Sequence, residues 1–177
     1  MPSRSQLVIF TGLPGTGKST LADEAVTILG CPAFAKDQLE AALRRSNIGA
    51  DAGSGWATYE LLTVLATEQL RRGQSAILDS VATFERIRAR WRALAQEHGS
   101  RLRIIECVCS DEALHRARLA TRQRGIPDWP ELSWDDVLDV RARYVPWSDP
   151  RLILDAARPF ETNRASLRDY LLAARTM

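Results

Sequence analysis

The sequence predicts an α/β fold in three layers, with a five-stranded parallel sheet, helices on both faces and a small lid. Short apolar runs alternate with stretches of helical periodicity, a pattern typical of parallel strands joined by crossover helices. The 177 residues, 45% of them apolar and 26% charged, suffice for a single domain over residues 1–177 with a full core. The predicted strands are 7–11, 33–36, 75–79, 102–109 and 152–155.

The first strand leads into the stretch 12–20, which reads Gly-Leu-Pro-Gly-Thr-Gly-Lys-Ser-Thr and fits the pattern G-x-x-x-x-G-K-[ST]. A predicted helix, 18–29, follows, and this strand–loop–helix context is what the motif requires. The glycines let successive N–H groups face a phosphate, and the helix dipole adds to the same anion site. We therefore predict a P-loop NTPase fold that binds ATP through this phosphate loop, with contacts from Gly12, Pro14, Gly15, Thr16, Gly17, Lys18, Ser19 and Thr20.

Within the phosphate loop, Lys18 is expected to meet the β- and γ-phosphates, and the Ser19 hydroxyl to bind Mg²⁺. The chain has 22 arginines and two lysines, and Lys18 stands where a compact ammonium suits phosphates better than a planar guanidinium. The alternative is a glycine-rich turn between a strand and a helix. Such a turn does not require Lys and Ser at these positions.

The second strand ends at Asp37, before a predicted helix over 38–45. The carboxyl ends of parallel strands face the ligand crevice, so Asp37 is a candidate base for an attacking hydroxyl. It also fits the N-cap of that helix, and one residue can serve both roles. Its neighbour Lys36 either belongs to the same site or is a solvated residue at the strand end.

The third strand ends in Asp79, after a predicted helix over 57–72. An acidic residue at this position is typical of the Walker B carboxylate that orients Mg²⁺, together with Ser19. The alternative is a structural Asp at a strand end. We predict a magnesium site formed by Ser19 and Asp79.

Two segments interrupt the regular pattern, a glycine-rich one at 46–56 and one with Gly and Pro at 122–130. Loops of this size in a nucleotide-binding domain are typical of lids and substrate gates, with plain surface loops as the alternative. We predict a lid at about 116–132 and a substrate-binding region at about 38–72. Of the lid arginines Arg116, Arg118, Arg122 and Arg124, the pair Arg118 and Arg122 is spaced to share one helix face and to contact the γ-phosphoryl group.

The other predicted helices are 84–98, 111–122, 134–144 and 163–175. Thr83 is a candidate N-cap, Ser133 with Asp136 resembles a capping box, and Gly30 and Gly99 stand where helices should stop. Cys107 and Cys109 alternate on the fourth strand without further ligands at zinc spacing, which predicts core thiols.

Composition excludes several classes of protein. No apolar run approaches the roughly 20 residues that cross a bilayer. Three cysteines do not suggest a disulfide framework, and the N-terminus lacks a signal-peptide pattern, so we expect a cytoplasmic protein without a membrane partner. A net charge of +2 is too small to indicate nucleic-acid binding. The oligomeric state remains open.

Together these residues resemble the small P-loop kinases of the adenylate-kinase-like group, in their AAA_33-type or zeta-toxin-like branch. That branch includes polynucleotide 5′-hydroxyl kinases, chloramphenicol phosphotransferase and gluconate kinase. The resemblance runs through the phosphate loop, Lys36-Asp37, Ile77 to Ser80, Arg118 to Arg122 and Leu154 to Pro159. It implies that Asp37 is the base, that Arg118 and Arg122 contact the phosphates, and that Arg158 and the backbone at 156–159 pack on the adenine.

The resemblance implies transfer of the γ-phosphoryl group of Mg-ATP to a hydroxyl of a small molecule. Glu40 stands where polynucleotide kinases carry an Arg, and the features of gluconate kinases after the second strand are absent. Two alternatives remain open. One is a kinase for nucleosides, nucleotides or polynucleotide 5′-hydroxyls, and the other is an ATP-gated binding module with slow hydrolysis.

Overall fold

The structure, a computed structural model, describes residues 5–49, 53–127 and 129–173. Its centre is an all-parallel sheet with the strand order β2-β3-β1-β4-β5. The strands are β1 (Gln6–Thr11), β2 (Ala33–Ala35), β3 (Ala76–Asp79), β4 (Arg101–Val108) and β5 (Leu152–Asp155). The helices in these ranges are α1 (Lys18–Leu29), α2 (Lys36–Arg45), α3 (Ser54–Arg71), α4 (Glu85–Glu97), α5 (Glu112–Thr121), α6 (Trp134–Arg143) and α7 (Phe160–Leu172). The predicted α/β fold is confirmed.

The sheet is buried on both faces, which explains why β1 is a continuous apolar run. Leu7 and Ile9 point to one face and pack in a core with α3 and α4. Val8 and Phe10 point to the other face and pack with α1 and α7. Side chains alternate between the two faces of a strand, so a strand covered on both sides needs apolar residues at every position. The three layers follow from this double burial.

The register of the sheet brings the ends of three strands to one edge. Phe10 of β1 is the partner of Asp79, and Asp79 is also the partner of Ala35 at the end of β2. The segments that follow these strands are the phosphate loop, the start of α2 and the loop after β3. In an open α/β sheet this edge forms the ligand crevice.

The start of α2 differs from the prediction. The helix begins at Lys36 and its N-cap is Ala35, so the alternative in which Asp37 caps the helix is wrong. Lys36 forms an ion pair with Glu40 one turn later, which stabilises a helical turn that includes Lys36. Asp37 lies in the first turn, where the helix dipole favours a carboxylate.

The end of α5 also differs. The helix ends at Thr121, and Arg122 has an extended conformation with φ −69° and ψ 131°. The φ of Arg122 is still helical and its ψ is not, so the chain turns away from the helix at Arg122. Helix α5 therefore ends one residue earlier than predicted.

Further differences concern helix starts. Helix α3 begins at Ser54 after Gly53, which has a φ of +79°, so Trp56 is helical and not part of a loop. The N-cap of α4 is Phe84 and makes no side-chain capping bond, so the assignment of Thr83 is wrong. The capping box of Ser133 and Asp136 is confirmed.

Gly30 ends α1 in a left-handed conformation, as predicted. Gly99, with a φ of +61°, directly follows the end of α4. Among the helices described, none combines the length and the hydropathy that a bilayer crossing requires.

Candidate active site

A cleft of about 650 Å³ opens at the edge of the sheet where β1, β2 and β3 end. Its walls come from the phosphate loop and α1, the β2–α2 junction, the loop after β3, and the segment that follows α5. The polar residues that line it are Lys18, Ser19, Thr20, Asp23, Asp37, Gln38, Asp79, Ser80, Arg122, Gln123 and Arg124. Most of the residues predicted to act on phosphates thus share one cavity.

The path of the phosphate loop is fixed by close backbone contacts. Gly12 has a φ of +125°, and a Cβ there would lie 2.0 Å from the carbonyl oxygen of Cys107. Only glycine fits at such an approach. Further along the loop, the buried ring of His115 contacts the Pro14 carbonyl oxygen through Nε2, at 2.7 Å. Helix α5 therefore supports the loop from below.

His115 was not assigned a role by the sequence reasoning, because no nucleophile or metal-ligand partner stands near it in the chain. Its contact with Pro14 spans 101 residues. Its ring also meets Trp134 edge to face, with the centroids 5.1 Å apart. The local sequence carries no signal for this contact, since it depends on how α5 packs under the loop.

Lys18 lies at the start of α1, and its Nζ donates to the Leu13 carbonyl oxygen at 2.8 Å. The ammonium thus lies across the phosphate loop. Burial lowers the pKa of Lys18, while the nearby carboxylate of Asp79 opposes that shift. An ammonium held in this way is a buried positive charge at the position where the motif predicts phosphates.

Ser19 and Asp79 are in direct contact, although 60 residues separate them. The Ser19 hydroxyl donates to Asp79 Oδ2 at 2.7 Å. Burial raises the pKa of Asp79, and Lys18 and the Ser19 hydroxyl act against that shift. A hydroxyl and a carboxylate form the oxygen donor set that Mg²⁺ prefers. No group of three or more His, Cys, Asp or Glu side chains arranged for a metal occurs in the described ranges, so an ion here would take its other ligands from water and phosphate.

Asp37 lies across the cleft from the phosphate loop. Its Oδ2 accepts a hydrogen bond from Arg124 Nη1 at 2.6 Å. The exposed fraction of the side chain is 43% for Asp37 and 3% for Arg124. The carboxylate therefore remains accessible from the cleft, whereas the guanidinium that holds it is buried.

The lid arginines are separated by the structure. Arg122 lines the main cleft, and burial together with the neighbouring Arg124 lowers its pKa. Arg118 is exposed and lines a second cleft of about 230 Å³ beside the phosphate loop. Arg116 pairs with Glu112 on the surface of α5. The structure thus does not bring Arg118 to Lys18 and Arg122.

The second cleft contains the other residue expected to contact the nucleotide. Arg158 lines it together with Arg118, Ala156 and the ring of Phe160, on the side of the phosphate loop that carries Thr16 and Thr20. Gly12 lies away from both clefts and lines a third cavity behind the loop. The predicted contacts therefore divide between three cavities around one loop.

A buried ionic cluster supports the acceptor side of the main cleft. Glu40 accepts hydrogen bonds from Lys36, Arg44 and the Ser54 hydroxyl, which joins α2 to the start of α3. Burial alone would raise the pKa of Glu40, but the bonds from Lys36 and Arg44 outweigh it and lower the pKa. Lys36 is therefore a half-buried residue paired with Glu40 and not a solvated one.

The described residues of the segment after α5 contact α2 through both charged and aromatic side chains. Besides the pair of Arg124 and Asp37, the Arg44 guanidinium lies 4.4 Å from the ring centre of Trp129. Arg45 Nη1 donates to the Pro127 carbonyl oxygen at 3.3 Å. These contacts hold the predicted lid segment against the wall that carries Asp37.

The loop after β3 is held by two residues that the sequence reasoning did not single out. The Thr11 hydroxyl donates to the Val81 carbonyl oxygen at 2.6 Å, and the buried Arg88 donates to that of Ala82 at 2.7 Å. Ala82 has a φ of +49°, a conformation that alanine rarely adopts. No pattern in the sequence around Arg88 distinguishes it from the other arginines of the chain or predicts this contact.

Comparisons with known proteins agree with this architecture. The family AAA_33, described as an AAA domain, matches residues 7–144. A candidate kinase from Chloroflexus aurantiacus J-10-fl has a TM-score of 0.73 at 23% identity, with 96% of this chain and 97% of that chain covered. A gluconokinase from Sinorhizobium meliloti 1021 has a TM-score of 0.68 at 14% identity, covering 94% and 91%.

A third similar structure is the APS kinase CysC of Mycobacterium tuberculosis in complex with AMPPNP and APS. It has a TM-score of 0.66 at 21% identity, with 97% of this chain and 100% of that chain covered. Among curated proteins, none matches the sequence significantly. Identities below 25% establish the fold and leave the substrate open. The chain belongs to the AAA_33 family and has the fold of the small P-loop kinases.

Proposed function

We propose that this protein is an ATP-dependent phosphotransferase that moves the γ-phosphoryl group of Mg-ATP to a hydroxyl of a small molecule. The observation that carries the proposal is the meeting of Lys18, the Ser19–Asp79 pair and Asp37 in one cleft at the ends of adjacent strands. A phosphate loop alone serves hydrolysis and transfer equally well. An accessible carboxylate on the opposite wall is what favours transfer to an acceptor.

On the donor side, the backbone of the phosphate loop and Lys18 bind the β- and γ-phosphates. Ser19 and Asp79 would hold Mg²⁺, which neutralises phosphate charge when bound. Arg118 and Arg158, in the second cleft, would contact the nucleoside, with the backbone at 156–159 on the base. Because Arg118 lines the second cleft and Arg122 the main cleft, the proposal gives Arg118 a role in binding the nucleoside and Arg122 a role at the γ-phosphoryl group.

On the acceptor side, Asp37 accepts the proton of the attacking hydroxyl. The acceptor oxygen forms a bond to the γ-phosphorus, the bond from that phosphorus to the bridging oxygen of ADP breaks, and ADP leaves with the bonding electrons. Arg122 stabilises the charge that spreads over the equatorial oxygens. Positioning and electrostatics supply the catalysis, without a covalent enzyme intermediate. The lid at about 116–132 would cover this reaction, and the region at about 38–72 would select the acceptor.

The test measures ADP release from Mg-ATP with sugars, sugar acids, nucleosides, nucleotides, aminoglycosides, chloramphenicol-like alcohols and 5′-hydroxyl oligonucleotides. Wild type is compared with Asp37→Asn and with Asp139→Asn, an exposed position on α6. We expect one acceptor class to stimulate release in the wild type and in Asp139→Asn. In Asp37→Asn we expect stimulated release to fall by roughly 10²–10⁴-fold, with ATP affinity retained.

Two results would contradict the proposal. If ADP release is slow and changes neither with any acceptor nor with the Asp37→Asn substitution, the protein is an ATP-gated binding module. Stimulated release that survives Asp37→Asn would show that Asp37 is not the base. Stimulation by oligonucleotides or nucleosides alone would move the substrate to the nucleic-acid class, which the buried and fully paired Glu40 does not favour.

A further inference from the structure

Two buried polar atoms in the main cleft lack a hydrogen-bond partner. They are Ser80 Oγ and Arg124 Nε, and both belong to side chains that line the cleft. In the part of the chain described, the other buried side-chain atoms without a partner belong to residues that do not line this cleft. Native proteins pair nearly all of their buried polar groups, so two unpaired groups in one cavity call for an explanation.

Arg124 has hydrogen-bonding capacity in reserve. A guanidinium offers five N–H donors, and Arg124 uses Nη1 for Asp37. The nearest carboxylate to Nε is that of Glu131, at 3.8 Å, which is too long for a hydrogen bond. Because only 3% of its side chain is exposed, the positive charge of Arg124 is stabilised by charges of the protein or of a substrate and not by water.

Ser80 lies on the same side of the cleft. It follows Asp79 at the end of β3, next to β2, whose continuation carries Asp37. Only 4% of Ser80 is exposed, and its amide donates to the Phe10 carbonyl oxygen at 3.2 Å, so the backbone is fixed. The hydroxyl can rotate, which leaves it able to donate to a group that enters the cleft.

Both unpaired atoms can donate, and both belong to residues that line the cleft close to Asp37, Arg124 by direct contact and Ser80 at the end of the neighbouring strand. We propose that the acceptor is an anion, a hydroxyl compound with a carboxylate or phosphate group, and that Arg124 and Ser80 bind this group. The inference rests on the proposed function, because it names the acceptor class for the same cleft. Asp37 then turns from Arg124 to the acceptor hydroxyl.

The balance of charge around Arg124 is the physical reason to expect an anionic acceptor. When Asp37 takes the proton of the hydroxyl, its negative charge is lost and Arg124 loses its closest counter-charge. The Glu131 carboxylate, 3.8 Å from Nε, is then the remaining counter-charge and lies too far away to accept a hydrogen bond from Nε, which is unfavourable for a buried guanidinium. An anionic group on the acceptor replaces Asp37 as the partner of Arg124, whereas a neutral acceptor does not. The site therefore discriminates against neutral alcohols.

The experiment compares acids with neutral partners of similar shape: D-gluconate with D-sorbitol, D-glycerate with glycerol, and adenosine 5′-monophosphate with adenosine. Initial rates of ADP release are measured, and binding to the AMP-PNP-loaded protein is measured by calorimetry. We expect at least one acid to exceed its neutral partner by on the order of 100-fold in kcat/KM and in affinity. The first two pairs test whether the site recognises a carboxylate, and the third tests whether it recognises a phosphate.

Variants assign that preference to the two residues. In Arg124→Met we expect the preference for the acid to fall by on the order of 100-fold, through the KM of the acid, with the KM of ATP unchanged. Arg124→Lys should retain part of the preference for the acid, because lysine keeps the positive charge but lacks the planar guanidinium group. In Ser80→Ala we expect the preference for the acid to fall by about 10-fold. Arg168→Met, at an exposed arginine of α7 outside the clefts described above, is the control.

Three results would overturn the inference. One is equal use and equal binding of acid and neutral partners in every pair. Another is an acid preference that persists in Arg124→Met and Ser80→Ala. The last is a loss of ATP affinity in these variants in place of acid affinity, which would assign both residues to the donor phosphates. Acid binding that depends on Arg124 without any ADP release would support the anion site and overturn the proposed transfer.

Discussion

The two walls of the main cleft are built in different ways. The phosphate loop is held by close backbone approaches, such as that of Gly12 to Cys107, and by buried side chains such as His115. The opposite wall, formed by α2 and the lid segment, is held by contacts between side chains, such as Arg124 with Asp37 and Arg44 with Trp129. Changes to the first wall should therefore remove binding of the nucleotide, whereas changes to the second should tune the acceptor.

The sharpest test of the donor wall is Lys18→Ala. We expect kcat to fall by on the order of 10³-fold or more, because no other lysine of the chain can reach the phosphates and the lost charge acts on the transferred group. The measurement is ADP release at saturating Mg-ATP, with circular dichroism to confirm the fold. Near-normal turnover would refute the nucleotide site altogether.

The steric basis of the donor wall is tested by Gly12→Ala against Gly73→Ala. Both glycines have a positive φ, but a Cβ at Gly12 meets the Cys107 carbonyl oxygen whereas one at Gly73 meets nothing within 4 Å. We expect Gly12→Ala to lower the free energy of unfolding by about 4 kcal/mol and Gly73→Ala by about 1 kcal/mol. Urea denaturation measures both. Equal losses would show that the left-handed conformation, and not the close approach, accounts for the effect.

The acceptor wall responds to acid through Glu40. Its pKa is lowered in the folded protein, so its ion pairs stabilise the fold above the ordinary value of 4.5 and are lost as the pH falls below it. We expect Glu40→Gln to lower the free energy of unfolding by about 2 kcal/mol at pH 7, and by much less at pH 3. Urea denaturation at both values of pH measures this difference.

A loss for Glu40→Gln that is the same at pH 7 and pH 3 would show that packing, and not charge, holds α2 to α3. Glu60→Gln provides a matched control, because its pair with Arg90 is exposed and links α3 to α4 away from the cleft. An exposed pair of this kind contributes little, so its loss should be below about 1 kcal/mol at either pH.

The smallest effect is expected at the lid contact. Trp129→Leu removes the aromatic face that Arg44 covers, which is worth about 0.5–1 kcal/mol at an exposed site. We expect the KM of the acceptor to rise about 2–4-fold, with the KM of ATP unchanged. Steady-state kinetics with each substrate varied in turn measures this. A larger change in the KM of ATP would place the lid on the donor side.

Much of the fold follows from local patterns. Each of the predicted strands and helices is present, with ends shifted by a few residues, because periodicity and burial act over short stretches. The start of α2 and the end of α5 were misplaced because they depend on single side-chain contacts and on where the chain turns. These shifts matter for the site, since the first removes Asp37 from the N-cap and the second ends the helix at the residue where the chain enters the main cleft.

The phosphate loop and the α/β layers can be predicted from the sequence, because each depends on the spacing of residues within a contiguous stretch. The contacts that form the site depend on the folded chain: Ser19 with Asp79, His115 with Pro14, and Arg124 with Asp37. These pairs lie 60, 101 and 87 residues apart. No local pattern encodes such contacts, because they arise from the order of the strands and the packing of helices on the sheet.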